Sequence, residues 1–122
     1  MANPTALEPR LQQRLGLSLA EIAAFCQRWQ IRQFALFGSI LRDDFGADSD
    51  IDCLVSFLPN ARQGLLTLAK IKHDLETRSG RQVDIVPKLS VETSENWIRR
   101  QDILQTAQPL YKHEVDRPKI VS

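Results

Sequence analysis

From Ser18 onward the chain switches between two hydrophobic periods. Ile22, Ala23, Phe25 and Cys26 recur at three and four residues, which predicts a helix over 18–30. Ser18, with Glu21 three residues on, forms a capping box at its start, each side chain placed to bond the other's backbone N–H. The run 31–37 carries Phe34, Leu36 and Phe37 and stops at Gly38-Ser39, as a strand does where it ends in a turn. After a polar stretch rich in Asp and Gly comes Ile51-Asp52-Cys53-Leu54-Val55-Ser56-Phe57, an apolar run of strand length closed by Pro59-Asn60. Over 62–78, Leu65, Leu68, Ala69, the stem of Lys72 and Leu75 predict a second helix, and Gly80 is placed to terminate it. Residues 82–87 read as a third strand ended by Pro87, which cannot continue a ladder. A last helix is expected over 90–107, turning Trp97, Ile98, Ile103 or Leu104, and Ala107 toward a core, with Pro109 beyond it.

The order helix, strand, strand, helix, strand, helix predicts an α/β (α+β) fold, a small mixed three-stranded sheet with helices packed on one face. Residues 1–17 mix Pro, Gln and Arg with scattered Leu and are expected as a loose N-terminal arm with a short helical piece over 8–14. Residues 18–111 form the folded domain, and 112–122 a polar C-terminal tail. A length of 122 residues suits one domain without a second lobe.

Composition mainly excludes. Apolar residues at 43% and charged residues at 25% are ordinary for a globular chain. A net charge of +1 gives no basic surface for stable nucleic-acid binding. No apolar run reaches the roughly 18 residues of a membrane span, and 1–10 lacks the apolar centre of a secretory signal, so a cytoplasmic protein is expected. Cys26 and Cys53 have neither metal-ligand spacing nor companion histidines and read as buried thiols. His73 and His113 likewise read as surface residues.

The chemistry concentrates around the turn and the second strand. Asp50 and Asp52 are two apart at a strand start, so both side chains leave one face while Ile51 points to the other. Two such anions repel unless a cation lies between them, and hard oxygen donors suit magnesium, which keeps several waters and shares its shell with substrate phosphates. Asp84, between Val83 and Ile85, faces opposite to its apolar neighbours. If its strand pairs beside the second, Asp84 joins Asp50 and Asp52 around two metal ions, in the arrangement used for in-line phosphoryl displacement, and serves as general base. Gly38-Ser39 sits where backbone N–H groups can receive phosphate oxygens, Ser39 adds a hydroxyl, and Arg42 supplies a cation to a triphosphate. Each feature alone also occurs in ordinary loops and solvated strand ends; their combination points to a nucleotide and metal site.

Gly38-Ser39-Ile40-Leu41-Arg42-Asp43 followed by Ser49-Asp50-Ile51-Asp52 resembles the signature of the polymerase-beta-like nucleotidyltransferase superfamily, a Gly-Ser with Asp-x-Asp ten residues later. Residues 18–111 resemble its minimal nucleotidyltransferases in particular. The resemblance implies that fold. It implies that Asp50, Asp52 and Asp84 bind two Mg2+ ions and that Gly38 and Ser39 hold the nucleoside triphosphate. It also implies an antitoxin that transfers AMP from ATP to a tyrosine hydroxyl of a helical HEPN ribonuclease toxin, in a hetero-oligomer with it. Asp43 stands where the family often has Gly after the Arg. A chain this short has no domain to hold an acceptor, so a protein that brings its own surface is favoured over a small molecule or RNA. A non-catalytic antitoxin that neutralises by covering its partner is the other reading.

Overall fold

The computed structural model describes residues 8–62 and 64–113. The elements in order are α1 (Glu8–Leu15), α2 (Leu19–Arg28), β1 (Ile31–Phe37), a 3-10 turn (Gly38–Leu41), β2 (Ile51–Phe57), α3 (Leu65–Ser79), β3 (Val83–Pro87), α4 (Lys88–Glu92), α5 (Trp97–Thr106) and β4 (Gln108–Lys112). The strands form one mixed sheet in the order β3-β2-β1-β4, with β1 antiparallel to β2 and β4, and β2 parallel to β3. The expected three-stranded sheet is therefore four-stranded. Pro109 obscures the extra strand, because proline cannot donate to a ladder; β4 accommodates it by lying at the sheet edge, with a bulge opposite Phe34 and Ala35.

Helices cover both faces rather than one. On the first face Phe34, Leu36, Ile51, Cys53, Val55 and Val83 pack against Leu11 and Leu15 of α1, Ile22 and Phe25 of α2, and Ile71 and Leu75 of α3. Phe25 meets Phe34 edge to face, with ring centroids 6.0 Å apart, a favoured aromatic geometry. On the second face Ala35, Phe37 and Leu54 pack against Val91 of α4 and Ile103 of α5. Period-two alternation along β1 and β2 thus supplies two cores, not one core and a solvated face.

The helix at 18–30 forms with the capping box as expected, Glu21 N–H donating to Ser18 Oγ at 3.1 Å and Ser18 N–H to Glu21 Oε1 at 2.9 Å. The short helical piece expected over 8–14 forms as α1, but the expectation of a loose arm fails for residues 8–17: Leu11, Leu15 and Leu17 are buried, so α1 is part of the first core. Residues 1–7 lie outside the described residues, as do 114–122 of the expected tail; Lys112, its first residue, belongs to β4. The helix expected over 90–107 is two helices. Thr93 closes α4, and Asn96 opens α5 by accepting the Arg99 N–H at 3.1 Å. Of its expected core residues only Ile103 is buried; Trp97 is 57% and Ile98 65% exposed. In α3 the inward pair is Ile71 and Leu75, one turn apart, while Leu65 is 86% exposed beyond the sheet. Gly80 caps α3 in the left-handed conformation, φ 73°, as its position predicts. Cys26 and Cys53 are buried free thiols, and burial pushes both above the ordinary thiol range. No helix among the described residues is long and apolar enough to cross a membrane.

Candidate active site

The alternation that buries Ile51, Cys53 and Val55 on the first face puts Asp52 on the second, in line with Leu54. In the parallel ladder Asp52 stands directly beside Asp84, one step from the pairs Ile51–Val83 and Cys53–Ile85. β3 does pair with β2, and the two carboxylates leave the same face of neighbouring strands, about 4.8 Å apart. Burial pushes the Asp52 carboxyl above its usual range; the charges of Asp84 and then Asp50 push it further, and Arg99 and Arg42 oppose them. Asp50 is exposed at the entry to β2.

The 3-10 turn presses on this pair. Asp52 is opposite Phe37 at the end of β1, so the next residue, Gly38, lies over the carboxylate. Gly38 has φ +78°, and a Cβ there would run into Asp52 Oδ2, with Cγ only 3.3 Å away. Two requirements, left-handed backbone and absence of a side chain, therefore meet at one glycine. Ser39 Oγ donates to the Asp50 carbonyl at 3.2 Å, tying the turn to the start of β2. Arg42, just past the turn, reaches Asp44 through Nε at 3.2 Å in an exposed pair, an ion pair of little energetic weight. Its charge still bears on Asp52.

Between the turn and β2 runs the segment 42–50, held by residues that no spacing rule singles out. Phe45 lies beside two guanidinium groups, Arg81 at 4.3 Å and Arg14 at 5.2 Å from its ring centroid. Arg81 donates to the carbonyls of Gly46 and Ser49 at 2.9 and 3.2 Å. Arg14 donates to those of Ile40 and Arg42. Asp43, which departs from the family pattern, accepts from Arg10 of α1, and that hydrogen bond and charge hold its carboxyl below the usual range. The first helix and the residue after Gly80 thus fix the loop that carries Asp50. Arg99, from α5, is the other contributor that spacing does not reveal.

Among the described residues no three His, Cys, Asp or Glu side chains already converge as a metal cage. The donor chemistry nonetheless fits a divalent ion. Asp52 and Asp84 are adjacent hard-oxygen donors whose mutual repulsion a cation relieves, and magnesium takes one or two carboxylates and fills its shell with water and phosphate.

A left-handed glycine turn laid over paired strand carboxylates, on a mixed sheet, brings backbone N–H donors and hard oxygen donors to one place. The chain belongs to the nucleotidyltransferase domain family, whose pattern it matches over residues 21–109. It is similar to the protein adenylyltransferase MntA of Thermococcus cleftensis, with 35% identity over 69 residues that cover 55% of this chain and 66% of that protein. The chain thus spans just under two thirds of that relative's length. A solved structure provisionally described as a minimal nucleotidyltransferase is 29% identical, covering 88% of this chain and 96% of the other, with a TM-score of 0.57. A complex of an MNT antitoxin with the tri-AMPylated HEPN toxin of Shewanella oneidensis contains a chain of the same fold: 17% identity, 87% and 76% coverage, TM-score 0.56.

Proposed function

We propose that this chain transfers AMP from ATP to a tyrosine hydroxyl of a cognate HEPN ribonuclease toxin, and neutralises the toxin by doing so. The observation that carries the reading is the Asp52–Asp84 register beneath the Gly38-Ser39 turn, in a chain of the nucleotidyltransferase domain family. The likeness to MntA and to a chain from an AMPylated toxin complex supports the acceptor class. We also infer a cytoplasmic setting and a hetero-oligomer with the toxin.

Gly38 and Ser39 offer backbone N–H groups and a hydroxyl to the phosphates, with Arg42 as their cationic partner. Asp84 accepts the proton of the acceptor hydroxyl as its oxygen bonds to the α-phosphorus, and the bond to the pyrophosphate oxygen breaks in line with the attack. Asp50, Asp52 and Asp84 would hold two Mg2+ ions, which supply charge neutralisation at the attacking and leaving oxygens. The segment held by Arg14 and Arg81 keeps Asp50 at the mouth of this arrangement.

The test is incubation of the purified chain with its partner toxin, magnesium and ATP labelled on the α-phosphate. Label is expected on the toxin, on tyrosine by mass spectrometry, and is expected to vanish for the Asp50→Asn, Asp52→Asn double variant. An unlabelled toxin that the wild-type chain still neutralises would replace catalysis with neutralisation by binding. Label appearing on RNA or a small molecule instead would change the acceptor and leave the chemistry.

A further inference from the structure

Beyond the two carboxylates, the second face of the sheet changes character row by row. Asp52 stands beside Asp84 in the first row, with Phe37 opposite it on β1. Two residues further along, Leu54 lies between Val86 and Ala35, and Ala35 is opposite Pro109, which makes an apolar row. Another two residues on, Ser56 is opposite Gln33 and Gln33 is opposite Lys112, a polar row that ends in a cation. Four positions separate Ser56 from Asp52, so the polar row lies about 13 Å from the carboxylates on the same face.

The apolar and polar rows floor a cleft of about 320 Å3. Its walls are Lys88 and Glu92, one turn apart on α4, and Leu104 and Ala107 at the C-terminal end of α5. It continues into a polar recess rimmed by Arg32 and Lys112. Gln33, Ser56 and Lys88 are half-buried, yet no side-chain hydrogen bond or ion pair joins them to another described residue. Lys88 and Glu92, at helical spacing for a pair, do not form one. Unbonded polar groups in a concave site with aliphatic walls suit a ligand that is itself part apolar and part polar. Lys88, Lys112 and Arg32 surround it against the single carboxylate of Glu92, which favours negative charge in that ligand. No aromatic side chain among the described residues lines the cleft to stack a base, and a net charge of +1 gives no wider basic surface for a nucleic acid to follow. An acidic side chain next to an aliphatic one in a polypeptide meets both demands.

We propose that this cleft is a docking site for the acceptor protein. An aliphatic side chain of that protein packs against Leu104, Ala107 and Pro109, and a neighbouring acidic side chain reaches Lys88, while Gln33 and Ser56 bond the segment's backbone. The inference rests on the acceptor being a protein, as read above. A hold at this distance from the carboxylates fixes the partner without touching the reacting atoms.

Calorimetric titration of the partner toxin, without nucleotide, into the wild type, Lys88→Gln, Lys112→Glu and the double variant tests it. The double variant is expected to bind the toxin roughly ten- to hundredfold more weakly, with the affinity for ATP and magnesium changed by less than about twofold. In the labelling assay its KM for the toxin should rise while kcat at saturating toxin holds. Toxin affinity unchanged in the double variant, or an equal loss of ATP affinity, would overturn the proposal. Loss of binding to a single-stranded RNA probe, with toxin affinity intact, would assign the cleft to nucleic acid instead. If Lys88→Gln lowers the melting temperature by itself, Lys112→Glu, at an exposed edge position, decides between the same outcomes. A toxin that the wild type binds but never labels removes the transfer reading, and the affinity series still judges the cleft.

Discussion

Asp52→Asn should make the protein more stable while removing its chemistry. The Asp52 carboxyl is raised by burial first, then by Asp84 and Asp50. A carboxyl raised on folding takes up its proton more readily in the folded state, so its ionisation destabilises. That penalty is absent below the unfolded pKa of about 3.8, grows as pH rises, and is complete above the folded pKa. At neutral pH the wild type therefore carries all of it, and Asn, similar in shape and uncharged, carries none. Unit charges on paired strands lie about 5 Å apart, where Coulomb repulsion is roughly 1 kcal/mol at the dielectric of water and roughly 3 kcal/mol at an effective value near 20. Asp52 is half-buried and Asp84 exposed, which sets the repulsion toward the lower figure. A gain of about 1–2 kcal/mol, or roughly 3–8 °C in melting temperature for a domain of this size, is expected in EDTA. Thermal unfolding followed by circular dichroism at neutral pH and at about pH 3.5 measures it, with the gain fading in acid. An unstabilised variant at neutral pH, or a gain that persists in acid, would refute the account. Magnesium should raise the melting temperature of the wild type and leave the variant unmoved.

Three further outcomes follow from single contacts. Gly38→Ala combines a left-handed backbone with a collision against Asp52, so it should lose about 1–3 kcal/mol of stability in thermal unfolding and, more sharply, affinity for ATP. Arg81→Met keeps part of the packing on Phe45 but removes the bonds to Gly46 and Ser49. It should speed amide exchange and proteolysis within 43–50 and cost about 1–3 kcal/mol, and an unchanged exchange pattern would count against the latch. Trp29→Phe deletes the 2.8 Å bond from Nε1 to Asp74. Burial alone would raise the Asp74 carboxyl, but the bonds from Trp29 and Arg78 outweigh it and hold it lowered. The stability they lend is present above about pH 3.8 and lost as pH falls through the lower folded value, so the variant's deficit of about 1–2 kcal/mol should narrow in acid.

The parts of the fold that could be read from the chain are those where local and tertiary demands coincide. β1 and β2 alternate or run apolar between turn residues, and the Ser18–Glu21 box marks the start of α2 by itself. α1 was obscured because only Leu11 and Leu15, one turn apart among polar residues, carry its burial, and docking on the sheet, not helix propensity, makes it part of the core. α3 offers apolar residues all along its first turns, so the periodic face drawn through Leu65, Leu68, Ala69, Lys72 and Leu75 catches Leu75 of the docked pair but misses Ile71. β4 depends on an edge position that no local pattern announces. At the site, Gly38, Ser39, Asp50 and Asp52 stand in one short segment, and alternation alone aims Asp84. Arg14, Arg81 and Arg99 act across 26 or more positions, which is why their part emerges only from the fold.

The parallel pairing of β2 with β3 joins two properties that are usually tuned apart. Shifting β3 by one position would carry Asp84 to the buried face and swing Val83 and Ile85 into the cleft, so the slipped chain would lose core and carboxylate in a single step. Misalignment therefore produces no well-folded chain with a half-assembled carboxylate pair. Quality control at the level of folding is also quality control of the candidate site, and a variant library screened only for solubility would already be enriched for correctly aimed carboxylates.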